Sequence, residues 1–178
     1  MGVGKIIAIV GAVIGILSVL LSIFIPDLVG WYKLSMSTVS PPMDVDIFLT
    51  GFGSMESDTP GISSEIATFV MFGGILIILG AIACVVGAFK EMRKPALGGA
   101  ILMIIGPLLL LADLLMTTSD FAEAVDLLVD VSNGNIFAGS FSDPSGSAKW
   151  GIHTGFFLPI VAGVIGLVGG ALVERKVM

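Results

Sequence analysis

IATFVMFGGILIILGAIACVVGAFKEMRKPALGGAILMIIGPLLLLADLLM, residues 66–116, holds two apolar runs, about 66–88 and 96–116, separated by a short basic link. At 1.5 Å rise per residue, about 20 residues cross a hydrocarbon core of about 30 Å. Each run is long enough to cross. The link, Lys90-Glu-Met-Arg93-Lys94, is only long enough to turn the chain at one surface. The stretch therefore reads as two adjoining transmembrane helices.

Working outward, a third run occupies about 6–25 and a fourth about 156–173. The expected fold is membrane α-helical: one four-transmembrane-helix bundle over residues 1–178, with two long outer loops at 27–65 and 117–155. Hydrophobic residues at 56% and charged residues at 12% agree, since soluble domains carry about 25% charged residues. The first run is read as a retained span. It exceeds the 7–15 residues of a signal-peptide core, and no Ala-x-Ala site precedes Pro26.

The charges are sorted by sign. Lys5, Lys90, Arg93, Lys94, Arg175 and Lys176, six of the eight basic residues, share one side with only Glu91 and Glu174, a net +4. The opposite side carries Lys33 and Lys149 against twelve acids, eleven in the two loops and Asp113 near the outer end of the third run, a net −10, which completes the chain's −6. Basic short segments stay in the cytoplasm. Both termini are therefore expected inside the cell (plasma) membrane and both loops outside. Cys84 is the single cysteine, so no internal disulfide forms, and the loops contain no N-x-S/T sequon. Both absences favour a bacterial or archaeal membrane.

Small residues at regular spacing mark faces where helix backbones approach. Gly11 and Gly15 form such a face in the first run, Gly73, Gly80 and Gly87 in the second, and Ala162, Gly166 and Gly170 in the fourth. Packing within one bundle is the simpler reading. The sharper one puts the fourth seam against another subunit. Pro107 should kink the third span. Polar residues inside membranes flag function, and here they are nearly absent. Asp113 lies four residues from the outer end of its span, within reach of water or a loop partner. His153 reads as a polar residue at the membrane edge rather than a ligand.

The first loop alternates. Tyr32, Leu34 and Met36 oppose Lys33, Ser35 and Ser37. After Pro41-Pro42, Met43, Val45, Ile47 and Leu49 oppose Asp44, Asp46, Phe48 and Thr50. Period two predicts a strand hairpin. Gly51 to Ser64 reads as irregular. In the second loop, Ser119 caps an amphipathic helix with Phe121, Ala124, Val125 and Leu128 on one face, expected to extend the third span. Ile136 to Phe141 offers a further strand, Asp143-Pro-Ser-Gly-Ser a turn, and Trp150, Phe156 and Phe157 a lipid-interface anchor. A small extracellular β-sheet of about three to five strands is expected.

This layout resembles the claudin and peripheral-myelin-protein superfamily: four spans, inside termini, a strand-rich first loop, an extended third span and a strand in the second loop. In motif, Gly30-Trp31 matches part of the claudin Gly-Leu-Trp sequence, and the two cysteines that follow it there have no counterpart here. The resemblance implies a shared architecture, with lateral assembly or adhesion.

No residue set suits catalysis. The one His and one Cys are far apart, no phosphate loop is present, and the acidic exterior excludes nucleic acid. Asp44-x-Asp46 places two carboxylates on one strand face and could bind Ca²⁺, but two acids are a poor cage and a solvated acidic face is the simpler reading. No enzyme activity, cofactor or metal is therefore expected. The favoured class is a structural or accessory subunit, embedded in the lipid bilayer and associating as a homo-oligomer or with other membrane-complex subunits. Trp31 and Phe48 are its expected outer contact residues; for Trp31 the competing reading is an anchor at the lipid surface. The alternative class is an oligomeric channel or small transporter, whose acidic exterior would concentrate cations.

Overall fold

The computed structural model describes residues 2–57, 66–132 and 134–173. The sequence readings on Asp58, Glu65, Asn133, Glu174, Arg175 and Lys176 lie outside the described residues. Among the described residues, four helices are long and apolar enough to cross a membrane: α1 (Val3–Phe24), α3 (Thr68–Phe89), α4 (Arg93–Met116) and α6 (Thr154–Leu172), the mark of a multi-pass membrane protein. A single turn, α2 (Pro26–Val29), follows α1. α4 starts three residues earlier than expected. Pro95 falls in its first turn, where no helical N–H bond is lost.

Each long helix is built inside out compared with a soluble bundle. α1 buries Gly4, Ala8, Gly11, Gly15 and Ser18 and exposes Ile6, Val10, Val13 and Leu17. α3 buries Gly73, Gly80 and Gly87 and exposes Phe72, Leu79 and Val86. Lipid-facing bulk and small residues inside are what a hydrocarbon solvent selects, since close backbone approach supplies the dispersion energy. α1 packs on α3 and α6, and α4 on α3 and α6.

The predicted seams lie at these contacts. A Cβ on Gly11 would stand 2.7 Å from the Ala162 carbonyl oxygen, and one on Gly80 2.5 Å from that of Gly99. Gly73 meets the Gly106 backbone, Gly87 the Ala96 backbone, and Gly15 the Met103 sulfur. Ala162 is fully buried. The α6 seam is taken up inside the chain: Gly166 faces Ala100 and Met103, and Gly170 faces Ala96 and Leu97. That corrects the reading of this seam as a contact with another subunit. Gly166→Leu should destabilise the bundle by about 1–3 kcal/mol through overpacking, whereas Leu167→Ala should cost less. Melting in detergent checks this, and equal midpoints would exclude a seam here.

Among the described residues, both loops contribute to one open antiparallel sheet of five strands, ordered β3-β2-β1-β5-β4. The strands are β1 (Tyr32–Val39), β2 (Pro42–Leu49), β3 (Met55–Ser57), β4 (Ala138–Asp143) and β5 (Gly146–Ile152). The expected hairpin is β1–β2, with Leu34 opposite Ile47. β3 falls in the part read as irregular. β5 replaces the expected return to the membrane and joins the two loops by pairing with β1. Trp150 is correspondingly buried in the sheet, its indole N–H donating to the Asn135 carbonyl at 2.9 Å, and is no lipid anchor. Phe156 is buried too, while Phe157 remains exposed.

The third span is not extended as a single helix. Thr117 takes a left-handed conformation (φ 51°) and ends α4. A separate helix, α5 (Asp120–Ser132), follows. Ser119 caps it by accepting from the Ala122 N–H at 3.1 Å. α5 buries Phe121, Ala122 and Val125. The Phe121 ring meets Tyr32 edge-on at 5.4 Å, so α5 covers the sheet face that carries Tyr32. The Tyr32 hydroxyl donates to the Ile136 carbonyl at 2.7 Å, and burial pushes its ionisation well above the usual phenol value.

Between β2 and β3 the chain dips into the bundle. The Gly51 N–H donates to the Ser22 hydroxyl of α1 at 2.8 Å. The Gly51 carbonyl presses against Gly74 of α3 so closely that no Cβ fits there. Gly53 (φ 74°) reverses the chain, a conformation that suits glycine. At the opposite end of the bundle, Lys5 pairs with Glu91 at 2.6 Å and ties α1 to the α3–α4 link.

Candidate functional site

The sheet has two unlike faces. Tyr32, Leu34, Ile47, Leu49 and Trp150 lie on the apolar one, under α5. The other carries Lys33, Ser35, Asp46, Phe48, Lys149 and, just past β5, His153. Near the bundle this second face is closed over. Phe48 is 2% exposed and Trp31 0%, which corrects their assignment as outer contact residues. The cause is local. Gly30 backs the Phe48 ring, the Lys33 ammonium lies 4.8 Å from its centroid, and the His153 ring stands edge-on at 6.2 Å. Trp31 sits beside Gly51, over the segment that enters the bundle. Its burial also removes the lipid-anchor reading.

His153 precedes α6, and its backbone N–H donates to the Trp31 carbonyl at 2.9 Å. Its Nδ1 and the Trp31 Nε1 are buried without a hydrogen-bond partner among the described residues. Asp113 is buried at the end of α4 rather than open to water. It accepts hydrogen bonds from the Thr118 hydroxyl and, at 2.7 Å, from the Ser119 hydroxyl. Asp113 thus fixes the turn that positions α5. Ser18 and Ser22 donate to carbonyls of their own helix, both at 2.7 Å.

Asp46 pairs with Lys33 at 2.8 Å. The Lys33 and Ser35 hydrogen bonds hold its carboxyl below the usual range. Asp44, on the same strand face, is exposed. No group of three possible metal ligands occurs among the described residues. A carboxyl whose folded pKa is depressed stabilises the fold above the unfolded value and loses that contribution as pH falls through the folded one. Asp46→Asn should therefore lower the melting midpoint slightly at pH 7, by no more than about 1 kcal/mol for an exposed pair. At about pH 2 the variant and the parent should melt alike. A gap that persists there would mean the ion pair is not the cause.

One feature escaped the sequence reading. α5 exposes Leu127 and Val131, at 61% and 64%, one turn apart on a helix whose other outward residues are mostly acidic. Phe137, just before β4, is also exposed. The four-residue spacing was visible, but amphipathic analysis credits a helix with one apolar stripe, and the one facing the sheet took it. Neither protein-family models nor curated protein sequences match the chain.

Proposed function

We propose that this is a non-enzymatic plasma-membrane protein of bacterial or archaeal type that works by lateral assembly or adhesion, as a homo-oligomer or as an accessory subunit of a membrane complex. In this reading both termini and the Lys90–Lys94 link are cytoplasmic and the sheet is extracellular. The observation that carries it is the exposed pair Leu127 and Val131 on a folded element beyond the spans. Apolar surface outside the lipid is costly unless something covers it. A transport reading gains little support. The described bundle faces meet through glycine, alanine, Ile77 and Met103 at contact distance, and their buried hydroxyls are spent on helix carbonyls. The single sheet built from both loops supports the claudin-like resemblance as a shared plan.

The test has two parts. A cysteine at the exposed Ser145 should react with an impermeant reagent on intact cells, and one at Met92 should not. Labelling at Met92 would reverse the orientation. In mild detergent the parent should run with other copies or with partners, and Leu127→Glu with Val131→Glu should release it at unchanged melting temperature. Cation flux through the purified protein in liposomes, indifferent to those changes, would overturn assembly in favour of a channel.

A further inference from the structure

The polar sheet face contains a notch of about 360 Å³ lined by Lys33, Ser35, Lys149, Gly151 and His153. Its form follows from strand register. Lys149, Gly151 and His153 succeed one another on one face at two-residue steps. Lys33 lies opposite Gly151 on β1, and Ser35 opposite Lys149. On the other flank Ala138 lies opposite Gly151 and Ser140 opposite Lys149. Gly151 forms the floor, two ammonium groups, the Ser35 hydroxyl and an imidazole line it, and the Ser140 hydroxyl borders it from β4 by register. All five can donate hydrogen bonds.

Charge makes the notch unusual. The two loops hold Lys33 and Lys149 as their only basic residues, and both stand here. Asp46 flanks the notch from β2 and offsets Lys33, with Ser35 also bonded to it. Lys149 is exposed and makes no ion pair among the described residues. One cationic charge is thus left uncompensated within an otherwise acidic surface. His153 adds a buried Nδ1 without a partner.

Position narrows the ligand. α6 has 19 residues, about 28 Å at 1.5 Å per residue, which matches a hydrocarbon core of about 30 Å. His153 then lies at the edge of the hydrocarbon. Gly151, two strand residues further on, lies at most about 7 Å outside it, in the headgroup layer, which is about 5–8 Å deep. The Lys149 backbone is at most about 14 Å out, and its long side chain, which lines the same notch as His153, reaches back to that layer.

We infer that Lys149, Lys33, Ser35, Ser140 and His153 form a binding site for the phosphate of an anionic phospholipid headgroup. The site requires α6 to cross the bilayer but does not require the assembly role.

The chain's two tryptophans, Trp31 and Trp150, are both at this end; the Trp150 indole lies on the apolar face of β5, one strand thickness from the notch. Quenching of tryptophan fluorescence by brominated lipid therefore reports this site and not the basic link at the other end. The full chain would be titrated in detergent with dibromo-phosphatidylglycerol or dibromo-phosphatidylcholine. Phosphatidylcholine presents the same phosphodiester, but its choline ammonium would stand against the uncompensated Lys149, so phosphatidylglycerol should be preferred by roughly tenfold, the size of one charge-assisted contact. Lys149→Gln should abolish the preference, Lys149→Arg should keep it, and Lys90→Gln should leave it unchanged. Equal quenching by the two lipids, or a preference that survives Lys149→Gln, overturns the site. Loss of the preference with inorganic phosphate, but not with chloride at equal ionic strength, would reassign it to a free anion. An assembly defect in Leu127→Glu with lipid preference intact would separate the two proposals.

Discussion

Gly74→Leu is expected to be among the most damaging single changes in the described bundle. A Cβ at this position runs directly into the Gly51 carbonyl, a backbone group that cannot swing aside as a side-chain terminus would. The Gly51 N–H is meanwhile held by Ser22, so the segment is fixed from both sides. Relief requires either withdrawing it, which leaves a buried N–H unpaired, or parting α1 from α3. Overpacking costs about 1–3 kcal/mol and occasionally more, and an orphaned buried donor about 1–3 kcal/mol again. The melting midpoint should fall well beyond that of Gly166→Leu, whose Cβ would meet only methyl groups at 3.1 Å. Faster hydrogen exchange should appear at residues 50–53. A Gly74→Leu protein that melts with the parent would show that this contact does not hold the sheet to the bundle.

Asp113→Ala is expected to loosen α5. The carboxylate accepts from Thr118 and Ser119 while buried, and Ser119 in turn caps α5. Removing it leaves two hydroxyls without their acceptor and the cap without its support. Breaking a buried network of this kind costs about 2–4 kcal/mol. The loss should be local: exchange should quicken across 120–132 while the spans keep their protection. The sheet face around Tyr32 and Leu34 would then be uncovered, so the variant should also bind a hydrophobic dye. Ser119→Ala, which removes the cap alone, should cost about 1 kcal/mol. Protection of α5 unchanged in Asp113→Ala would mean that its packing on Tyr32, rather than the turn, holds it in place.

Much of this organisation could be read from residue order. The four spans follow from unbroken hydropathy, the β1–β2 hairpin from strict alternation about Pro41-Pro42, and the helix seams from glycine spacing. Other features escaped for physical reasons. β5 also alternates, with Ala148, Trp150 and Ile152 against Ser147, Lys149 and Gly151, but glycines at both ends dilute the pattern. The break at Thr117 turns on a left-handed backbone in a residue that seldom adopts it. Alternation placed Phe48 on the face with Asp46, correctly, but not under Lys33 and beside His153. That burial depends on a lysine two strand positions from the bundle and on a histidine more than a hundred residues away. The candidate notch was illegible for the same reason. Its floor and rim come from three strands in two loops, and only their register brings Lys33 and Lys149 together.

The entry of Gly51 between α1 and α3 has a mechanical consequence. Linked domains usually swivel, because the chain between them absorbs displacement. Here a load applied at the Pro41-Pro42 tip of the hairpin would run down β2 into a segment wedged among helices, and would pass to Ser22 and Gly74 without slack. The sheet acts as a lever arm rigidly fixed to two of the four membrane-length helices. Whatever grips its far end would tilt those helices rather than merely bend a tether.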